Sequence, residues 1–218
     1  MFHIGVDYSP LCIALVTSLR NNQRYLGETL LCQGDAPVQR EAFDGNRWRI
    51  MIHHTDRNPD DITHYARMKD FMVETIQAWV DSTDRTPCIG IEDNIHSYTG
   101  SNQFAQMAEI KAILAIACKE QGWEYHIVNV ASARGIWLRK APSMRQEWRN
   151  RAALPIKRRL REIFYLKQRI RFRNSQHPYN DIIDAFVQQE AVSNLPRNVP
   201  RVNKYRNRPL LNFIDPVV

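Results

Sequence analysis

Three apolar, β-rich segments crowd into the first 32 residues, with short turns between them. "FHIGVDYS" (2–9) closes at Ser9-Pro10. "LCIALVTSL" (11–19) is a continuous apolar, β-branched run, and "NNQ" (21–23) separates it from "RYLGETLLC" (24–32). Strands joined this tightly read as an antiparallel meander, the seed of a central sheet. Asp7 is the only acid among the first 27 residues, and it falls inside the first strand. An ionised carboxylate in a central strand is costly unless it is paired, hydrogen-bonded or bound to a metal. The plain alternative is an acid at a strand end, capping the Ser9-Pro10 turn.

The rest of the chain alternates. Residues 33–58 read as mostly loop, with a short strand at "WRIMIHH". From Asp60, Ile62, Tyr65, Ala66, Val73, Ile76, Trp79 and Val80 recur at helical spacing, and "DSTDRTP" ends that helix. "CIGIED" (88–93) is a strand, "QFAQMAEIKAILAIACKEQG" (103–122) a helix stopped by Gly122, and "EYHIVNVA" (124–131) another strand. A basic stretch, 134–173, contains an apolar stripe of Ile156, Leu160, Ile163 and Phe164. A final helix, "HPYNDIIDAFVQQEA" (177–191), opens on Pro178, which suits the first helical position. The expected fold is α/β: a mixed central sheet with helices on both faces. It occupies residues 1–193, with 134–173 as a basic helical insertion and 194–218 as a Pro/Arg-rich C-terminal arm.

The formal charge of +7 hides an asymmetry. Residues 1–133 carry 11 Lys+Arg against 17 Asp+Glu, a balance of −6, and residues 134–218 carry 19 against 6, a balance of +13. A fold does not require such a split, whereas a polyanionic partner explains it, because each phosphate contact releases counterions. The four cysteines form no CxxC pair and no histidine pair has zinc spacing, so they read as reduced core thiols. No apolar run reaches the ~18 residues a membrane span needs. The N-terminus lacks the marks of a signal peptide. A cytoplasmic protein with no membrane partner and no small-molecule cofactor is expected.

Two further places offer acids. Glu92 and Asp93 end a strand, and alternation points them to opposite faces, so one of the two belongs to any given site. Spacing alone does not choose between them. Asp181 and Asp184 lie one turn apart on one helix face, near the end where the helix dipole favours negative charge. Their plain reading is a solvated face. Carboxylates from two strand ends and one helix, gathered at one sheet edge, would repel one another. Hard divalent cations with oxygen ligands remove that conflict. Two such ions also support phosphodiester hydrolysis.

"IGVDYS", "IGIED" and "YNDIIDAF", in a meander followed by alternating helices and strands, resemble the RuvC-type Holliday junction resolvases of the RNase H-like (retroviral integrase) superfamily. The resemblance covers about residues 2–192. It implies that Asp7, Glu92, Asp181 and Asp184, the last followed by Ala185, are the catalytic and metal-binding residues. It chooses Glu92 over Asp93. It implies two Mg²⁺ ions per site, with Mn²⁺ as a substitute, cleavage of branched DNA such as a four-way junction, and a homodimer. The first motif departs from the family's D-P-G, since the chain has "DYSPLCIAL". The segment between the first strand and "CIGIED" is longer than in compact bacterial members, which points to a phage or other divergent member.

Lys111, Arg134, Arg139, Lys140, Arg145, Lys157, Arg158, Arg159 and Arg161 are the expected DNA contacts. Trp137, Trp148, Phe164 and Phe172 alternate with the basic residues and suit stacking on unpaired bases or plain core packing. His177 suits a helix cap. Two rival readings remain. One is another nuclease of the superfamily, an RNase H or a terminase-like nuclease. The other is a basic nucleic-acid-binding protein without catalysis.

Overall fold

Hydrogen bonding across the β1–β2 turn starts the sheet. β1 (Phe2–Ser9) pairs antiparallel with β2 (Cys12–Leu19), and β2 with β3 (Arg24–Cys32), which is the meander read from the sequence. In this computed structural model the described residues are 1–19, 24–32, 39–44, 48–56, 61–93, 102–129, 133 and 179–194. They add β4 (Gln39–Asp44), β5 (Trp48–Thr55), α1 (Asp61–Thr83), β6 (Pro87–Asp93), α2 (Asn102–Glu120), β7 (Glu124–Asn129) and α3 (Tyr179–Ser193). The seven strands form one sheet in the order β4-β5-β3-β2-β1-β6-β7. β6 joins β1 in parallel, and β7 joins β6 in parallel. Among the described residues, no helix is long and apolar enough to cross a membrane.

The reading of 33–58 as mostly loop is corrected here. β5 covers the short strand expected at "WRIMIHH" and runs parallel to β3, and β4 pairs with it as an antiparallel edge. In β5, Ile50 and Ile52 are buried while His53 packs edge-on against Phe71 of α1 with ring centroids 5.4 Å apart, so the two faces alternate. β4, "QREAFD", has no apolar alternation because it borders the sheet, and Arg40 and Ala42 are exposed. A polar edge strand is held by backbone pairing, which leaves little trace in side-chain type.

Each face of the sheet has its own core. Ile4, Val6, Tyr8, Ile13, Leu15, Ile89 and Ile91 pack with Tyr65, Met68, Met72 and Ile76 of α1 and with Ile110 and Leu114 of α2. Cys12, Ala14, Val16, Ile50 and Ile52 belong to the opposite core, with Ile182, Ile183, Ala185, Phe186, Val187 and Ala191 of α3. α3 is buried from Asp181 to Val192, so it is not a half-solvated surface helix. α2 ends as its glycine predicts. Gly122 takes φ 69°, its amide donates to Lys119 O (3.1 Å), and Trp123 N donates to Cys118 O (2.9 Å). This is the Schellman pattern, in which a left-handed glycine lets the last carbonyls find donors.

Two glycines set how near α3 comes. Gly5 of β1 and Gly90 of β6 are register partners. A Cβ on Gly5 would overlap the Ala185 carbonyl oxygen and the Gln189 amide nitrogen, and one on Gly90 would overlap the Val192 side chain. The helix backbone thus rests directly on the two parallel strands. Gly5→Ala is expected to force α3 off the sheet and to cost about 3 kcal/mol or more, the upper range for overpacking. Urea unfolding with the midpoint compared at equal m value measures it, and a cost under about 1 kcal/mol would contradict the close approach.

Candidate metal centre

The acids follow from strand alternation. Residues 2, 4, 6 and 8 of β1 face α1 and α2, so Asp7 shares the α3 face with Gly5. On β6, Ile89 and Ile91 face α1 and α2, so Glu92 shares the α3 face with Gly90. The β1–β6 register pairs Gly5 with Gly90 and Val6 with Ile91, so one step further sets Asp7 beside Glu92. α3 then brings Asp184 down onto both. A carboxylate oxygen from each of Asp7, Glu92 and Asp184 lies within 4.8 Å of the other two. The three residues are 4%, 4% and 6% exposed.

Asp93 points the other way. It accepts an ion-paired hydrogen bond from Lys111 Nζ of α2 at 2.9 Å, with both side chains about one-sixth exposed. Glu92, the acid favoured by the resemblance, is the one on the α3 face. Lys111, expected to contact DNA, is tied to Asp93 and is only 16% exposed. Contact with a phosphate would require that pair to break.

Asp181 is buried at 5% exposure but is not one of the three mutually close acids. It sits one turn earlier, where its charge acts on the buried Cys12 thiol. Burial pushes that thiol well above its ordinary pKa, and the Asp181 and Asp7 charges push it further. Cys12 therefore stays protonated. Tyr8 shows the same negative field from the other face: burial raises its phenol most, and Asp7, Glu92 and Asp93 add to it.

Gln188 completes the arrangement. It lies one turn after Asp184, and its Nε2 donates to Glu92 Oε2 at 3.0 Å. Its own Oε1 is buried and has no hydrogen-bond partner among the described residues. The amide fixes one oxygen of Glu92 and leaves an acceptor beside the acids. Gln188 was not singled out from the sequence, and neither were Gly5 and Gly90. The signal for the glycines is a repeated Ile-Gly-apolar-acid pattern, "IGVD" (4–7) and "IGIE" (89–92).

Three buried carboxylates this close form a site of concentrated negative charge that favours a cation. Every offered donor is oxygen, and the orphaned Oε1 of Gln188 is a fourth, so the residues fit a hard divalent cation. The expected DNA contacts Arg134, Arg139, Lys140, Arg145, Lys157, Arg158, Arg159 and Arg161 lie outside the described residues, as do Trp137, Trp148, Phe164, Phe172, His177 and nearly all of the C-terminal arm.

No protein-family model matches the sequence, and a search of the curated proteins finds no match. Among solved structures, Thermus thermophilus RuvC in complex with a Holliday junction substrate matches with a TM-score of 0.50 and 13% identity, over 88% of this chain and 91% of that one. Another Thermus thermophilus RuvC structure matches with a TM-score of 0.46 and 11% identity, over 88% and 92%. The first likeness settles the architecture. The chain has the RuvC-type, RNase H-like fold. At 13% identity the likeness speaks for the fold, and the chemistry has to be argued from the residues.

Mg²⁺ or Mn²⁺ is expected to raise the melting temperature of the wild type by about 5–10 °C at a hundredfold excess over Kd. Asp184→Asn removes one of three repelling charges, so it should melt higher than wild type without metal and lose most of the metal-dependent gain. Calorimetry with and without chelator reads both, and a wild type indifferent to divalent ions would contradict the assignment. Gln188→Ala is expected to keep the fold and weaken metal affinity by roughly 10–100-fold, the usual effect of removing a group that orients a ligand. Isothermal titration measures it.

Proposed function

We propose that this protein is a divalent-metal-dependent endonuclease that cleaves branched DNA, with the four-way junction as its substrate. The observation that carries the reading is the buried trio Asp7, Glu92 and Asp184 at the ends of two adjacent parallel strands and the start of one helix. The RuvC-type fold and the Holliday junction in the Thermus thermophilus complex support it, as does the +13 balance after residue 133.

In this reading Asp7, Glu92 and Asp184 hold Mg²⁺, with Mn²⁺ as a substitute, and Asp181 flanks them. When bound, two such ions lower the pKa of water and stabilise charge on the scissile phosphate. The chain's own residues do the positioning. Gln188 fixes the Glu92 carboxylate. Ile182 and Ile183, both 1% exposed, hold α3 in the core and so aim its two acids. Arg134, Arg139, Lys140, Arg145, Lys157, Arg158, Arg159 and Arg161 are proposed to bind the phosphate backbone. A four-way junction has near two-fold symmetry, so a homodimer with two sites is the matching assembly. The proposed setting is the cytoplasm, of a bacterium or of a phage-infected cell.

The test offers the purified chain a synthetic four-way junction, a linear duplex and an RNA–DNA hybrid, each with Mg²⁺ or chelator. Paired, metal-dependent cuts on the junction are expected. Asp7→Asn, Glu92→Gln and Asp184→Asn should each lower the cleavage rate by roughly 10²–10³-fold, the equivalent of several kcal/mol of lost charge stabilisation, while junction binding persists. Cutting mainly the hybrid would replace the resolvase with an RNase H-type enzyme. Binding without cleavage, unchanged by Asp7→Asn, would leave a non-catalytic binding protein.

A further inference from the structure

β6 carries a second group of donors at its other end. Cys88 faces the α3 side together with Gly90 and Glu92, and its register partner on β7 is Glu124. His126 follows two residues later on the same face of β7. A ligand atom from each of Cys88, Glu124 and His126 lies within 4.8 Å of the other two. His126 Nε2 and Glu124 Oε1 are already 3.1 Å apart. Cys88 lies 36 positions before Glu124, which is why the sequence shows no zinc spacing; only the β6–β7 pairing brings it to the other two.

The donor chemistry differs from that of the acid trio. A thiolate, an imidazole and a carboxylate are the ligands of a borderline-soft cation and poor ligands for Mg²⁺. Zinc bonds of roughly 2.0–2.3 Å set neighbouring ligand atoms about 3.3–3.8 Å apart in a tetrahedral site. A spread within 4.8 Å closes to that by small side-chain rotations. Access fits as well: among the described strands β7 is the sheet edge, and Glu124 and His126 keep 26% and 16% of their side-chain surface exposed. Cys88 is 1% exposed, which suits a ligand at the inner wall and leaves a substrate no approach to its sulfur as a nucleophile.

We infer that Cys88, Glu124 and His126 form a zinc site that clamps the edge strand β7 to β6. It is separate from the acid centre by four residues along β6, roughly 13 Å at strand spacing. Three protein ligands leave one position for water. Binding converts the Cys88 thiol to a thiolate and releases its proton to solvent, so zinc affinity rises with pH. A clamp here holds β7 in register against the strand that also delivers Glu92.

The test uses the full chain, stripped of metal with a chelator and reloaded with Zn²⁺ or Co²⁺. One Zn²⁺ is expected to bind and to raise the melting temperature, and Co²⁺ to give a thiolate-to-cobalt charge-transfer band in the near ultraviolet. The all-oxygen centre cannot give that band. Cys88→Ser should abolish it. His126→Ala and Glu124→Gln, on the exposed side, should fold with the wild-type circular dichroism spectrum and bind Zn²⁺ at least about 10–100-fold more weakly. Asp7→Asn should keep the band. A wild type without the band overturns the inference. So does Zn²⁺ binding that survives His126→Ala and Glu124→Gln but is lost in Asp7→Asn, which would put the ion at the acid centre.

Discussion

The contact between the α3 backbone and the strands at Gly5 and Gly90 governs the site. Side chains on those two positions would hold the helix further from the sheet, and Asp184 would no longer reach Asp7 and Glu92. Because the two glycines are register partners, the approach is broad enough to seat a helix rather than a single residue. The acids then follow two residues later on each strand, on the same face. Backbone contact is stiffer than side-chain packing, since it has no rotamers through which to relax. A centre that must hold like charges together needs that stiffness, because repulsion would otherwise push α3 away.

Electrostatics divides the sheet into two sides with different solutions. On the α1 and α2 side, Asp93 is neutralised within the chain by Lys111. On the α3 side, Gln188 donates its amide hydrogen to Glu92 Oε2 at 3.0 Å. A neutral amide orients the Glu92 oxygen without cancelling its charge. Burial of Tyr8 and Cys12 raises the pKa of each and keeps both uncharged, so neither adds to the repulsion.

Much of this was legible in the residues. Asp7 stood out because a lone acid in an apolar strand has few plain explanations, and Gly122 because a helix that stops at a glycine has a known geometry. The two-sided sheet followed from alternating strands and helices. Other features were not legible, for identifiable reasons. β4 leaves no apolar pattern because it lies at an edge, and the parallel pairing of β5 with β3 is a long-range contact that local periodicity does not encode. Alternation sends Glu92 and Asp93 to opposite faces but cannot say which face α3 will cover. Asp181 and Asp184 share a helix face and look equivalent, yet one turn of rise separates the residue beside Cys12 from the residue among the acids. Gln188 reads as one of several polar residues in "VQQEAVS" until the fold sets it against Glu92.

β6 connects these observations. One face of one strand offers sulfur at Cys88, no side chain at Gly90 and carboxylate oxygen at Glu92. The middle position admits α3, the last joins the all-oxygen trio, and the first meets the nitrogen and oxygen donors of β7. The oxygen donors at one end suit a hard cation and the sulfur and nitrogen donors at the other a softer one, because ligand type, more than affinity alone, decides which metal a site keeps. Two unlike metals could thus be kept on a single strand without competing, one for the reaction and the other for the edge that holds the reacting strand in register.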